Sequence, residues 1–312
     1  MKVINYPLLY DALYRQPLLI ESGVFHSIHS VVFPRIVSSQ PMTMEPQSAV
    51  SAPGGNDRTS PFSGRRPSQA APKARYAGGG EWSIADPRFF WSPTGQEDVA
   101  VIPIYGMLAK NASWIEQACM GITDIQGIAT ALDQAAKDKS ISKIVLDIAS
   151  PGGQVTGIRE LGNAVNAATQ VRGKTVYAFT DERCCSAAYW LASQTDGIYG
   201  TASSSVGSIG TYLAWLDESV KMQLEGVRLE FFGAGEHKGM GLPGKPLSQA
   251  DRALLQARVN EINGWFTSAV QSKRPKVTSA TMQGQVFTGE QSVGAKLVDG
   301  LVNSWEEFIG TI

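Results

Sequence analysis

Cysteine and histidine are both scarce, three of each in 312 residues. Cys184 and Cys185 are adjacent and Cys119 stands apart, so the thiols cannot close a disulfide framework. No Cys-x-x-Cys or clustered Cys/His spacing occurs, which argues against a structural zinc and fits a reducing compartment. Charged residues are only 18% and balanced, with 27 Lys plus Arg against 28 Asp plus Glu and a net charge of -1. A nucleic-acid binder normally carries a basic excess or face, and an acidic solvating tail is missing as well. No uncharged run reads as a membrane span. Ser22 to Pro34 is too short and holds His26 and His29, while Gly197 to Leu216 contains four Gly and four Ser. Asp11 and Arg15 interrupt what a secretory signal would need as its apolar stretch.

The chain does hold 43% hydrophobic residues, enough for a sizeable core. Residues 1–40 carry Leu8, Leu9, Leu13, Leu18, Leu19, Ile20, Val24 and Phe25 at spacings that predict an amphipathic arm. A short helix followed by a strand or second helix fits, docked on its own domain or on a neighbour. Residues 41–80 hold six Pro, six Gly, five Ser and six Ala, with no Leu or Ile. Such a segment buries too little apolar surface to offset its ordering entropy. It predicts a flexible linker over 41–96, open to proteolysis, ahead of a domain over 97–312.

In that domain, buried strands are expected at Val99–Ile104, Lys143–Ile148, Thr175–Phe179 and Val227–Phe232. Helices are expected after Asp124, along Val155, Ile158, Leu161, Val165 and Ala168, and over Ser186–Gln194. Ser248 with Asp251 reads as a capping box opening a long helix through Leu255, Ile262 and Phe266. Strands alternating with helices imply an α/β domain with parallel pairing.

Three loops follow buried strands, where α/β sites form. Ser150-Pro151-Gly152-Gly153 could turn backbone N–H groups toward an oxyanion, or be an ordinary strand-to-helix turn. Ser186 at a helix start could be an N-cap, or a nucleophile placed at the positive end of the helix dipole. The neighbouring thiols are also candidates, although a Cys nucleophile normally wants a partner His. Ser208 lies in the glycine-bearing segment Ser205–Gly210, which lacks a phosphate-cradling signature. His237 and Lys238 are adjacent, the only such pair of potential bases in the domain. A lysine can act as general base if burial lowers its pKa by about three units from its usual 10.4. Tyr189, Trp190 and Tyr212 fit either a pocket wall or plain core.

Five segments occur together in order: D-I-A-S-P-G-G at 147–153, C-S-A-A-Y-W-L-A-S at 185–193, V-G-S-I-G at 206–210, G-A-G-E-H-K-G at 233–239 and V-F-T-G-E-Q-S-V-G-A-K-L-V-D at 286–299. Over about residues 97–310 the chain resembles the serine peptidases of the signal peptide peptidase A type, which include the head-maturation (capsid assembly) proteases of tailed phages. The resemblance implies a Clp/crotonase-like fold of stacked βαβ units and assembly into a homo-oligomeric ring. It implies Ser186 as nucleophile, Lys238 as general base and Ser208 as the group that orients the lysine. Gly152 or Gly153, with Ala187, matches the oxyanion hole. No metal or cofactor is implied. A Clp-type Ser-His-Asp triad is not expected, since no His follows Ser186 at that family's spacing. The amphipathic arm and linker, with no membrane anchor and no fused scaffold segment, favour the phage or prophage branch. Expected substrates are proteins or peptides, with scaffold, portal or the chain itself as candidates, in host cytoplasm or procapsid. The alternatives are a housekeeping peptidase that degrades signal peptides, or a catalytically silent assembly protein.

Overall fold

The computed structural model describes residues 16–22, 24–25, 98–112 and 122–312. The expected linker, most of the arm, His26, His29 and Cys119 lie outside them. In chain order the first elements are β1 (Leu18–Ile20), β2 (Val99–Tyr105), β3 (Met107–Ala109), β4 (Ile122–Asp124), α1 (Ile125–Lys137), β5 (Lys143–Ala149), β6 (Gly152–Gln154), α2 (Ile158–Gln170), β7 (Thr175–Thr180) and β8 (Arg183–Cys185). There follow α3 (Ala187–Ser193), β9 (Gly197–Gly200), β10 (Ser205–Gly207), α4 (Ser219–Leu224), α5 (Gln249–Lys273), β11 (Val286–Thr288), α6 (Gly289–Gly294), β12 (Gly300–Leu301) and α7 (Trp305–Thr311).

A five-stranded parallel sheet in the order β12-β9-β7-β5-β2 carries the fold. Strand β5, paired with β2 on one edge and β7 on the other, reads KIVLDIA and is buried from Ile144 to Ala149. A continuous apolar run is what a parallel strand covered on both faces requires. Helices α1 and α2 each turn one apolar stripe inward, Ile125, Ile128, Ala131 and Leu132 on the first and Ile158, Leu161, Val165 and Ala168 on the second. These join the main core with Ile104, Leu146, Val176 and Ile198. A second cluster on Phe179 and Phe308 packs α7 against the strands.

Main strands are followed by short strands that leave the sheet. After β5, β6 enters a second sheet of order β1-β6-β3-β4; after β7 and β9, β8 and β10 enter a third of order β11-β10-β8. This sideways step brings the three suspected loops together. Ser150 bridges Cys184 in parallel, with Ser150 N–H donating to the Arg183 carbonyl at 2.7 Å and Cys185 N–H to the Ser150 carbonyl at 3.1 Å. Strands β8 and β10 pair in parallel with Cys185 opposite Gly207.

Most expected elements appear within a residue or two, and the Ser248–Asp251 capping box is formed. Asp124 holds the N-cap position of α1, but its side chain makes no capping bond. The expected strand Val227–Phe232 is not one. This stretch is irregular and exposed, Phe232 at 91%, and no described strand edge is hydrogen-bonded to it. Its alternating apolar residues therefore face solvent in the single chain. The described part of the arm is strand β1, packed on its own domain. Tyr189 and Trp190 are core, the first donating to the Leu297 carbonyl and the second stacked on Phe266.

Candidate active site

Ser186 is the link between β8 and α3. Its backbone is at φ 54, ψ -120, a region that L-residues rarely adopt. Such a conformation costs about 1–3 kcal/mol and persists only where the surroundings impose it. Here they do. Ser186 N–H donates to the Gly207 carbonyl at 2.8 Å, and the Ser186 carbonyl accepts from Trp190 N–H to begin the helix. The side chain is 1% exposed, makes no cap bond, and its Oγ has no hydrogen-bond partner among the described residues. The cap role is thus excluded, and what stays is a strained, buried, uncommitted hydroxyl at a helix N-terminus.

Gly152 separates itself from Gly153. It sits at φ +99, and a Cβ built there would stand 2.8 Å from Ser186 Cβ and 3.0 Å from Ala187 N. The same point is 2.1 Å from the Leu19 carbonyl oxygen. Only glycine fits. Gly153 instead packs on the Leu108 backbone, with which it pairs. Gly152 N–H donates to Ser150 Oγ at 3.2 Å, long enough for a stronger acceptor to displace. Ala187 opens α3, so its N–H belongs to those a helix start leaves without an intrahelical acceptor.

Ser208 also has positive φ, 51, and is 7% exposed. It follows Gly207 and donates its N–H to the Gln285 carbonyl at 2.6 Å. The two serines therefore sit just past the ends of adjacent parallel strands, both in left-handed backbone. Cys185, one residue before Ser186, is fully buried. Burial above all, helped by the charge of Glu21, pushes its thiol up to about 12. A thiolate is not available there at neutral pH, which removes Cys185 as a nucleophile.

Lys238 makes no hydrogen bond to the Ser186 hydroxyl. It is exposed, in the loop between α4 and α5. The loop is organised locally. Lys238 N–H donates to the Gly235 carbonyl, Lys245 Nζ lies 4.3 Å from the centre of the Phe231 ring, and that ring sits against Gly233 and Gly239. Beside Lys238, His237 Nδ1 contacts Asp251 Oδ1 at 2.8 Å. The other carboxylate oxygen, Oδ2, takes the Ser248 hydroxyl at 2.7 Å and the Ser248 N–H at 3.1 Å. These contacts, that of His237 first, hold the Asp251 carboxyl down at about 2. In the sequence Asp251 is visible only as a helix cap. The signal for its second role was the lone in-domain histidine next to the suspected base.

Among the described residues no group of three or more His, Cys, Asp or Glu is arranged to hold a metal, and no helix is long and apolar enough to cross a membrane.

Residues 168–308 match peptidase family S49. That span includes Ser186, Ser208 and Lys238 and begins after Gly152. The chain is 29% identical over 208 residues to the capsid assembly protease C of Escherichia phage lambda, covering 66% of this chain and 47% of the relative. It is likewise 29% identical over 208 residues to the head-tail preconnector protein GP5 of Enterobacteria phage P21, covering 66% and 41%. The chain thus spans less than half the length of these two relatives. A strained serine at a helix start, the glycine seated against it and the order of the motifs agree with these likenesses: residues 168–308 are similar to peptidase family S49.

Proposed function

We propose that this protein is a serine peptidase whose nucleophile is Ser186. The observation that carries this reading is the Ser186 hydroxyl itself, buried, without a hydrogen-bond partner among the described residues and held at positive φ beside Gly152 and the first N–H of α3. Lys238, with its amine neutral, takes the Ser186 proton. Oγ attacks the scissile carbonyl, and the N–H groups of Gly152 and Ala187 receive the oxyanion. Lys238 then protonates the leaving amine, and water frees the acyl group. Ser208 orients the lysine amine. Gly152 is favoured over Gly153 because Gly153 is committed to Leu108.

A general-base lysine needs enclosure. The segment that carries Lys238 exposes Leu224 at 85% and Phe232 at 91%, with Val220 at 65%. Apolar surface of this kind marks an association face. In our reading, assembly of copies into a homo-oligomeric ring covers it and brings a Lys238 amine to Ser186. The sideways strand steps support a Clp/crotonase-like architecture. By analogy with the phage relatives, the substrates are head proteins such as scaffold or portal, or the chain itself, cut in host cytoplasm or procapsid.

The exposed Lys238 is also what a silent assembly protein of the same fold would show. Co-expression of wild type, Ser186→Ala and Lys238→Ala with head proteins, followed by mass analysis, separates the two. Peptidase function predicts shortened partners with wild type alone. Intact partners in all three favour the silent reading, and cleavage retained by Ser186→Ala overturns the assignment of the nucleophile.

A further inference from the structure

Strand β1 comes from far upstream in the sequence, yet it lies against the candidate site. Its backbone is gripped on both edges. On one side it runs antiparallel to β6, with Leu18 opposite Gln154, Leu19 opposite Gly153 and Ile20 opposite Gly152. On the other, Leu18 N–H donates to the Tyr212 carbonyl at 2.8 Å and Tyr212 N–H returns to the Leu18 carbonyl at 3.3 Å. Just past the strand, Glu21 N–H donates to the Pro151 carbonyl at 2.9 Å. Leu18, Leu19 and Ile20 are 4%, 0% and 3% exposed. The Leu19 carbonyl oxygen, Ser186 Cβ and Ala187 N lie 2.1, 2.8 and 3.0 Å from the point where a Cβ on Gly152 would stand.

A segment that adds a strand through main-chain bonds, buries its apolar side chains and passes the glycine that abuts a nucleophile is seated as a peptide substrate is seated. We propose that Leu18–Ile20 is an internal pseudosubstrate: it fills the peptide cleft between β6 and Tyr212 and must leave before another polypeptide is cut. The cleft accordingly takes an extended peptide with an apolar residue at the Leu19 position, which reaches the main core cluster. Two further contacts mark its far end. Arg183 Nε lies 3.1 Å from Glu21 Oε2, an ion pair without hydrogen-bond alignment, and Phe25 meets the Tyr212 ring edge-on at 5.4 Å. An acidic residue two positions after the apolar one is therefore part of the preferred ligand. The pairing is made mostly by backbone, so a foreign peptide of the same pattern can replace β1. This inference rests on Ser186 being the site of chemistry; occupancy of the cleft by β1 does not.

Occupancy lowers the apparent affinity for any competitor in proportion to the fraction of open cleft. The test uses the full chain with Leu19→Asp, which puts a charge where no water reaches, and with Leu18→Pro, which removes the donor to Tyr212 without charging the core. The second variant reads the same quantity if the first fails to fold. A fluorescent synthetic peptide of residues 16–22 is titrated against each variant in a Ser186→Ala background, and hydrolysis of a fluorogenic peptide is followed with Ser186 intact. If β1 holds the cleft nine-tenths of the time, displacement tightens peptide binding about tenfold and raises kcat/KM by a similar factor, through KM. The unlabelled 16–22 peptide then inhibits the opened variants competitively. Equal binding and equal kcat/KM in parent and variants overturn the pseudosubstrate and leave the peptidase standing. Tighter binding by the variants with no hydrolysis in any form sustains the occupancy and removes the peptidase.

Discussion

Ser186 donates its backbone N–H to the carbonyl of Gly207, 2.8 Å away, and that bond sets the geometry of the site. It extends the parallel pairing of β8 and β10 by one residue and holds Ser186 at φ 54 when the chain would otherwise enter α3 smoothly. The same bond places Ser208, the residue after Gly207, in the next loop over. Strain, burial and an idle hydroxyl at one residue are costs that stability alone does not explain.

Ser186→Ala is expected to abolish turnover without weakening the fold. It removes a buried hydroxyl that has no partner among the described residues, a group whose desolvation costs about 1–3 kcal/mol. Ser186→Gly goes further, because glycine also relieves the positive φ, worth about 1–3 kcal/mol. Denaturant unfolding of the two variants checks this. Midpoints below wild type in both would mean that Ser186 is a structural residue.

Gly152→Ala is expected to lose activity and to destabilise by at least about 1–3 kcal/mol from backbone strain at φ +99. The added methyl also collides with backbone at Leu19 and Ala187. Gly173→Ala is the control. It too has positive φ, +66, but nothing lies within 4 Å of the added atom. It should lose some stability and keep its activity. Equal activity in both variants would separate Gly152 from the chemistry.

Asp251 ties the loop of the proposed base to the start of α5. Its carboxyl titrates near 2 in the folded chain against an ordinary 3.8, so its contribution is complete above about pH 4 and disappears as pH falls toward 2. In Asp251→Asn this part of the acid sensitivity should vanish, seen as a flatter unfolding midpoint between pH 4 and 2. Loosening of the Lys238 loop should lower kcat about 10- to 100-fold, since a misplacement near 1 Å is enough. KM should change little. An unaltered kcat would make the His237–Asp251 contact purely structural.

Much of this was readable from the chain. Apolar runs such as KIVLDI located the main strands, because a strand covered on both faces must be apolar throughout. The capping box fixed the start of α5. Ser186 was legible as a helix start, but its hydroxyl's lack of a cap bond depends on the bond to Gly207, a tertiary contact that local pattern does not encode. Gly152 and Gly153 are equivalent in sequence and differ only in what packs on them. Val227–Phe232 has the composition of a strand; a strand also needs a partner edge, and none among the described residues is paired with it. The seating of Leu18–Ile20 on β6 joins segments with no local signal linking them.

Acylation of the assembled protein with a small serine-directed peptidyl probe, mapped by peptide mass spectrometry, reads the nucleophile and its base in one experiment. Ser186 is expected to be the one modified residue in wild type, and the modification is expected to be lost in Lys238→Ala with assembly unchanged. Labelling elsewhere, or undiminished labelling of Ser186 without the Lys238 amine, would contradict the Ser186–Lys238 assignment.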